Sequence, residues 1–267
     1  MEIWAVANQK GGVGKTTTVV SCAGLLADAG KRVLVVDLDP HGSLTSYFRF
    51  DPDALERSTY DLFRQPQLPG VDELRAMLLA TPVSGLMLFP AATALATVER
   101  QFRSAEGVGL RLARALATLR GDFDHALIDT PPVLGVLMIN ALAASERLLL
   151  PVQTDFLAIK GLERMAHTLA MVVRARGKEL RYCVVPTMYE QGSETSVNGL
   201  RTLLRTFADQ VGETVVPMDN SFREASYRGL TPSQFAPYSK GVRAYRALLR
   251  NMGALDEPAR TALWPVA

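Results

Sequence analysis

The 267-residue sequence predicts an α/β fold: a single-domain, doubly wound, mostly parallel sheet with helices on both faces, covering residues 1–267. Three observations carry this. Short apolar, β-branched runs alternate with longer stretches of helical periodicity. The first run, Ile3 to Ala7, passes through a glycine-rich loop directly into a helical stretch. No long linker, internal repeat or low-complexity segment divides the chain.

Taken in order, strands are expected near 2–7, 32–37, 86–89, 125–129, 147–152, 180–185 and 213–216. Helices are expected near 15–29, 55–64, 71–79, 93–104, 107–120, 135–144, 156–176, 194–208 and 239–252. Helix 107–120 sets Leu110, Leu112, Leu116 and Leu119 against Arg111, Arg114 and Arg120. Gly30, Gly121 and Gly177 stand where helices stop before strands. Residues 40–75 hold Pro40, Pro52, Pro66 and Pro69 and read as a long, partly helical excursion. A short tail occupies about 253–267.

Composition bounds the function. With 48% hydrophobic residues the chain buries a core without staples. Cys22 and Cys183 have no spacing for a zinc site or disulfide framework and read as packing residues in a reducing cytoplasm. The chain opens at once on a strand, so no signal peptide is expected, and no apolar run approaches a membrane span. The net charge of +2 is unevenly spread: residues 1–159 carry −3, residues 160–250 carry +6 and the tail −1. A basic C-terminal half is compatible with a polyanion surface or with a solvated helical face.

The chemistry lies in Asn8-Gln-Lys10-Gly11-Gly12-Val13-Gly14-Lys15-Thr16-Thr17. Strand, glycine-rich loop, Lys-Thr, helix is how a chain makes a phosphate cradle. Glycines let backbone N–H groups turn toward phosphate oxygens, and the helix N-terminus adds free donors. Lys15 would reach the β- and γ-phosphates, and the Thr16 hydroxyl would ligate Mg²⁺. Gln9 stands where the usual pattern asks for glycine, and a second lysine, Lys10, precedes the glycine pair. Asp39 falls just past the end of strand 32–37, the edge where ligands bind in such sheets, and can orient a water attacking the γ-phosphate. Asp129 ends another apolar strand and can hold Mg²⁺ directly or through water, next to the stiff pair Pro131-Pro132. Asn8 could bond near the phosphates or cap the loop. His125 and His167 read as structural.

Lys10-Gly-Gly-Val-Gly-Lys15-Thr-Thr resembles the deviant Walker A motif of the ParA/MinD group of P-loop ATPases. Val33-Leu-Val-Val-Asp37-Leu-Asp39-Pro40 resembles its second motif, and Asp124-His-Ala-Leu-Ile-Asp129-Thr-Pro-Pro132 its Walker B segment. Pro186-Thr-Met-Tyr189 and Phe222-Arg-Glu-Ala225 resemble two later signatures, so the likeness runs from residue 2 to about 250. The resemblance implies a P-loop fold, ATP and Mg²⁺ as ligands, and slow, partner-stimulated hydrolysis. It implies an ATP-bound homodimer in which Lys10 crosses into the partner's nucleotide. It gives the catalytic role to Asp39 with Lys10 and Lys15, sets Asp37 in the outer shell of Mg²⁺, and sets Thr187 and Met188 beside the adenine. Pro217 and Met218 could line the same pocket from the other side. His41 stands where most of the group carry glutamine; it reads as a hydrogen-bonding loop residue or, alternatively, a group that moves protons.

Within the group, four readings compete. Partition ATPases bind DNA non-specifically through basic residues in two late segments; this chain has Glu190-Gln-Gly192 and Met218-Asp-Asn-Ser221 there, leaving Arg201, Arg205, Arg223 and Arg228 as candidates for weak DNA contact. MinD-type members end in a basic amphipathic helix, which this tail lacks, so no membrane insertion is expected. Val6-Ala-Asn-Gln-Lys-Gly-Gly12 with Asp37-Leu-Asp-Pro-His-Gly-Ser-Leu-Thr45 resembles the ParC-type ATPases of polar chemotaxis arrays. Amidotransferase-type ligases share the fold and spend ATP on a small carboxylic acid. The expected function is a switch that positions a cellular cargo through a protein adaptor, in the cytoplasm, at a cell pole or on the nucleoid.

Overall fold

The computed structural model describes residues 1–65, 67–101, 107–176 and 180–256. Its strands, in chain order, are Glu2–Val6 (β1), Val33–Asp37 (β2), Leu79–Ala80 (β3), Leu86–Phe89 (β4), His125–Asp129 (β5), Arg147–Gln153 (β6) and Arg181–Thr187 (β7). They form one sheet in the order β3-β4-β2-β5-β1-β6-β7, parallel throughout except for the short edge strand β3. The helices are Lys15–Asp28 (α1), Ser43–Tyr47 (α2), Asp61–Arg64 (α3), Val71–Ala76 (α4), Val98–Gln101 (α5), Arg111–Thr118 (α6), Val136–Ala144 (α7), Phe156–Arg176 (α8), Glu194–Thr206 (α9), Ser221–Arg228 (α10), Pro232–Phe235 (α11) and Lys240–Asn251 (α12).

The central strands are apolar on both faces because both faces are covered. Ala5, Leu34, Val36, Ile128 and Leu150 pack with α6, α7 and α8 on one side. Trp4, Val35, Leu127 and Leu149 pack with α1 and α12 on the other. This is the doubly wound sheet that the alternating pattern predicts. Register then fixes the site: Val6 lies opposite Asp129, and Asp129 opposite Asp37, so β1, β5 and β2 end level at their C-terminal edge.

Several elements differ from expectation. Segment 213–216 is not a strand. It runs beside β7, and Val216 donates to the Pro186 carbonyl at 2.8 Å, but pairing reaches only isolated bridges. Pro186 and Pro217 have no N–H to offer, so a ladder cannot continue. Helix 55–64 shrinks to α3: Asp61 accepts from the Ser58 N–H at 2.8 Å, and the Thr59 hydroxyl donates to the Asp37 carbonyl at 2.9 Å, holding a turn against the end of β2. Helix 71–79 stops at Ala76, and its last residue belongs to β3. Residues 93–97 and 108–110 are 3₁₀ turns that lead into α5 and α6, and Leu110 is exposed rather than part of the core face. Helices α2, α10 and α11 were not expected; their sequences are polar and carry little apolar period. Cys22 is buried and Cys183 half-buried, both as free thiols. Residues 102–104 of the expected helix 93–104, Gly177 and the tail from 257 lie outside the described residues. No helix among the described residues is long and apolar enough to cross a membrane.

Candidate nucleotide site

The loop between β1 and α1 is shaped by its glycines. Gly14 is the N-cap of α1 with φ of 92°, a left-handed conformation that a side chain would strain. Its carbonyl accepts from the Thr18 N–H at 2.9 Å, so the helix ladder starts at the loop itself. The loop is braced from three sides. Asn8, fully buried, donates to the Pro151 carbonyl of β6 at 2.8 Å, and its oxygen accepts from the Lys10 N–H at 3.0 Å. Asn8 therefore caps the loop rather than facing the cavity. The Thr187 hydroxyl donates to the Val13 carbonyl at 2.9 Å. Thr130 at the end of β5 donates to the Val6 carbonyl at 2.9 Å.

Lys15 is buried, with its ammonium 3.3 Å from the Lys10 carbonyl. Burial pulls its pKa down, while Asp129 and Asp39 pull it back up. The Thr16 hydroxyl donates to Asp129 at 2.6 Å. Burial raises the Asp129 carboxyl well above the carboxylate range, and the nearby Asp37 adds to this. A hydroxyl and a buried carboxylate side by side at a phosphate loop suit a cation that keeps water and phosphate oxygens in its shell, as Mg²⁺ does. No group of three or more His, Cys, Asp or Glu side chains suited to a metal occurs among the described residues, so an all-protein cage is not what this site offers.

Asp37 is placed differently. It is fully buried; one oxygen accepts from the Asp39 N–H at 3.0 Å, and the other from both the N–H and the hydroxyl of Thr45 at 2.8 Å. Both oxygens are thus committed to protein donors, and their work is to hold the loop that carries Asp39. Asp39 points into the phosphate cavity, which Gly11, Gly12, Lys15, Thr16 and Pro132 also line.

Lys10 does not turn inward. Its ammonium makes an ion pair with Asp155 at 2.9 Å, both side chains about one-third exposed. Asp155 follows β6 and also accepts from the Ala158 N–H at 2.7 Å, at the start of α8. Sequence reasoning missed Asp155, because no motif marks it.

A second, more apolar slot opens beside Gly14 and Thr17. Thr187, Met188, Pro217 and Met218 line it together, and Phe222 and Tyr245 join them from α10 and α12. Only the fold could bring in Tyr245; no sequence signal marks it. Arg201 and Arg205 are exposed on α9, and Arg223 and Arg228 on α10, where Arg228 stacks over Phe235 at 4.7 Å.

A family model described as an AAA domain matches residues 1–182. The sporulation initiation inhibitor protein Soj of Bacillus subtilis is 34% identical over 254 residues, 95% of this chain and 98% of Soj. The chromosome-partitioning ATPase Soj of Thermus thermophilus is 39% identical over 262 residues, 96% of each chain. Among solved structures, the cobyrinic acid a,c-diamide synthase of Mycobacterium smegmatis with bound ATP analog and magnesium superposes with a TM-score of 0.77 at 36% identity, covering 95% of this chain and 96% of that one. On these matches, the chain belongs to the ParA/Soj family of P-loop ATPases.

Proposed function

We infer that this chain is a dimerising switch, closed by ATP and Mg²⁺ and reset by slow, partner-stimulated hydrolysis, that positions a cellular cargo. The observation that carries the reading is the division between the two loop lysines: Lys15 is buried at the phosphate cavity, and Lys10 is turned out toward Asp155. An outward lysine beside the cavity is free to serve a nucleotide held by a second copy, once it leaves Asp155. Lys15 with the loop N–H groups would hold the β- and γ-phosphates, Thr16 and Asp129 would hold Mg²⁺, and Asp39 would orient the attacking water. Mg²⁺ supplies charge neutralisation between the phosphates when bound. We assign Asp37 an anchoring role, with any contact to the metal shell through water. The slot lined by Met188, Pro217 and Met218 suits the flat, apolar faces of adenine.

For the cargo we favour a protein assembly such as a chemotaxis array, reached through an adaptor. The support is the sequence from Asp37 to Thr45 and the absence of arginine at Gly192, Met218 and Ser221. Partition on DNA is the second reading, favoured by the Soj relatives and by exposed Arg201, Arg205, Arg223 and Arg228. The name of the mycobacterial neighbour keeps a third open, ATP-driven amidation of a small carboxylic acid, for which carboxylate-dependent ADP release is the assay. A salt titration of the ATP-bound Asp39→Ala protein on non-specific duplex separates the first two. Weak binding that falls steeply with salt is expected. Submicromolar binding at physiological salt, lost when the four arginines become glutamate, would put DNA first.

A further inference from the structure

Asp39 is held in an uneven way. Its Oδ1 accepts two hydrogen bonds, both from His41: the backbone N–H at 3.0 Å and the ring Nδ1 at 2.7 Å. Among the described residues, no donor is paired with Oδ2. The ring contact is a hydrogen bond to Oδ1 in the tautomer that carries its proton on Nδ1.

The turn that presents His41 is stiff. Pro40 fixes its own φ, and the Gly42 N–H donates to the Asp39 carbonyl at 2.8 Å, closing residues 39–42. Gly42 is left-handed at φ 61°, and a side chain there would strike Pro52, since a Cβ would sit 2.3 Å from its ring. The Asp39 N–H is tied in turn to the buried Asp37. The backbone around Asp39 is therefore fixed, and its carboxyl torsion is the freedom that remains. His41 is the described side chain that restrains it, and it lines the same cavity as Lys15 and Thr16.

We propose that His41 is a positioning residue for ATP hydrolysis: by holding Oδ1 of Asp39 it turns Oδ2 toward the water that attacks the γ-phosphate. This rests on Asp39 as the residue that orients that water. The imidazole itself is largely solvent-exposed, with 78% of its side chain accessible, so it acts through geometry rather than as a buried charge. The backbone donor survives replacement of the side chain by any residue but proline, so the ring accounts for part of the restraint and its loss leaves measurable turnover.

The test is steady-state ATP hydrolysis by the full chain with Mg²⁺, alongside nucleotide affinity, for His41→Ala, His41→Asn and Asp39→Asn. The side-chain amide of asparagine places a nitrogen where Nδ1 stands. We expect His41→Ala to lower kcat about ten-fold with nucleotide affinity unchanged within about two-fold, and His41→Asn to recover most of that loss. Asp39→Asn should fall further than either. A His41→Ala kcat equal to wild type, a parallel loss of affinity, or an asparagine variant as slow as alanine would each overturn the proposal while leaving Asp39 in place. Full turnover by Asp39→Asn would overturn both.

Discussion

Two lysines five positions apart in one loop end in opposite environments, and that difference sets the residue-scale chemistry. Lys15 is enclosed by the loop, while Lys10 is spent on Asp155 at 2.9 Å. A partly exposed ion pair contributes up to about 1 kcal/mol, enough to bias where Lys10 rests without locking it. Asp155→Asn removes that attraction and keeps an acceptor for the Ala158 N–H, so the start of α8 stays capped. The expected result is ATP-driven dimerisation at a concentration lower by up to about five-fold, read by sedimentation with saturating ATP. A dimer that weakens instead would mean that Asp155 serves the assembled state. Lys10, Lys15, Thr16, Asp39 and Asp129 could all be picked out of the sequence, because each stands at a fixed place in a motif that follows or ends an apolar strand. Asp155 could not, since an Asp after an apolar strand is an ordinary helix start.

At the scale of elements, α2 is the piece that the sequence did not announce and the site most needs. Ser43-Leu-Thr-Ser-Tyr47 is too short and polar to show a period, and its order comes from tertiary bonds. Thr45 is fully buried: its N–H and hydroxyl donate to Asp37, and its hydroxyl oxygen accepts from the Ala91 N–H at 2.9 Å. One side chain thus joins the ends of β2 and β4 to α2. Thr45→Val keeps the volume but strands one donor and removes one bond to a carboxylate, so unfolding by urea should show a loss of about 2–4 kcal/mol. Thr45→Ser should lose far less; a Thr45→Val protein as stable as wild type, with the loss seen in Thr45→Ser instead, would mean that the methyl group, not the hydroxyl, matters. The same logic explains the segment 213–216. Its apolar β-branched pattern reads as a strand, yet the prolines facing it and following it deny the ladder its donors. The long helices α1, α8 and α12 were readable from their helical pattern, and the central strands as short, continuous apolar runs buried on both faces.

Over the whole molecule, the sheet gathers carboxyls where water is excluded. Burial raises Asp37 to about 6 and Asp129 to about 8, above the roughly 3.9 of an unfolded aspartate. The folded state therefore holds more protons than the unfolded chain between those values, and stability falls as pH rises. His125, whose pKa burial lowers, works in the opposite direction, but only as pH falls through the histidine range. The thermal midpoint of the nucleotide-free protein should therefore decline from about pH 6.5 to 8.5, less so with Mg²⁺ and nucleotide bound, and Asp129→Asn should flatten the slope. A midpoint that climbs across that window would contradict the burial account.

That nucleotide state sets oligomeric state through the two lysines can be read by light scattering of the full chain with ADP and with ATP, each with Mg²⁺. The wild type should be monomeric with ADP and dimeric with ATP. Asp39→Ala should stay dimeric on ATP, Lys10→Ala should bind ATP yet lose the ATP-driven dimer or its hydrolysis, and Lys15→Ala should fail to bind. One mass for all four proteins, whichever nucleotide is present, would contradict the switch.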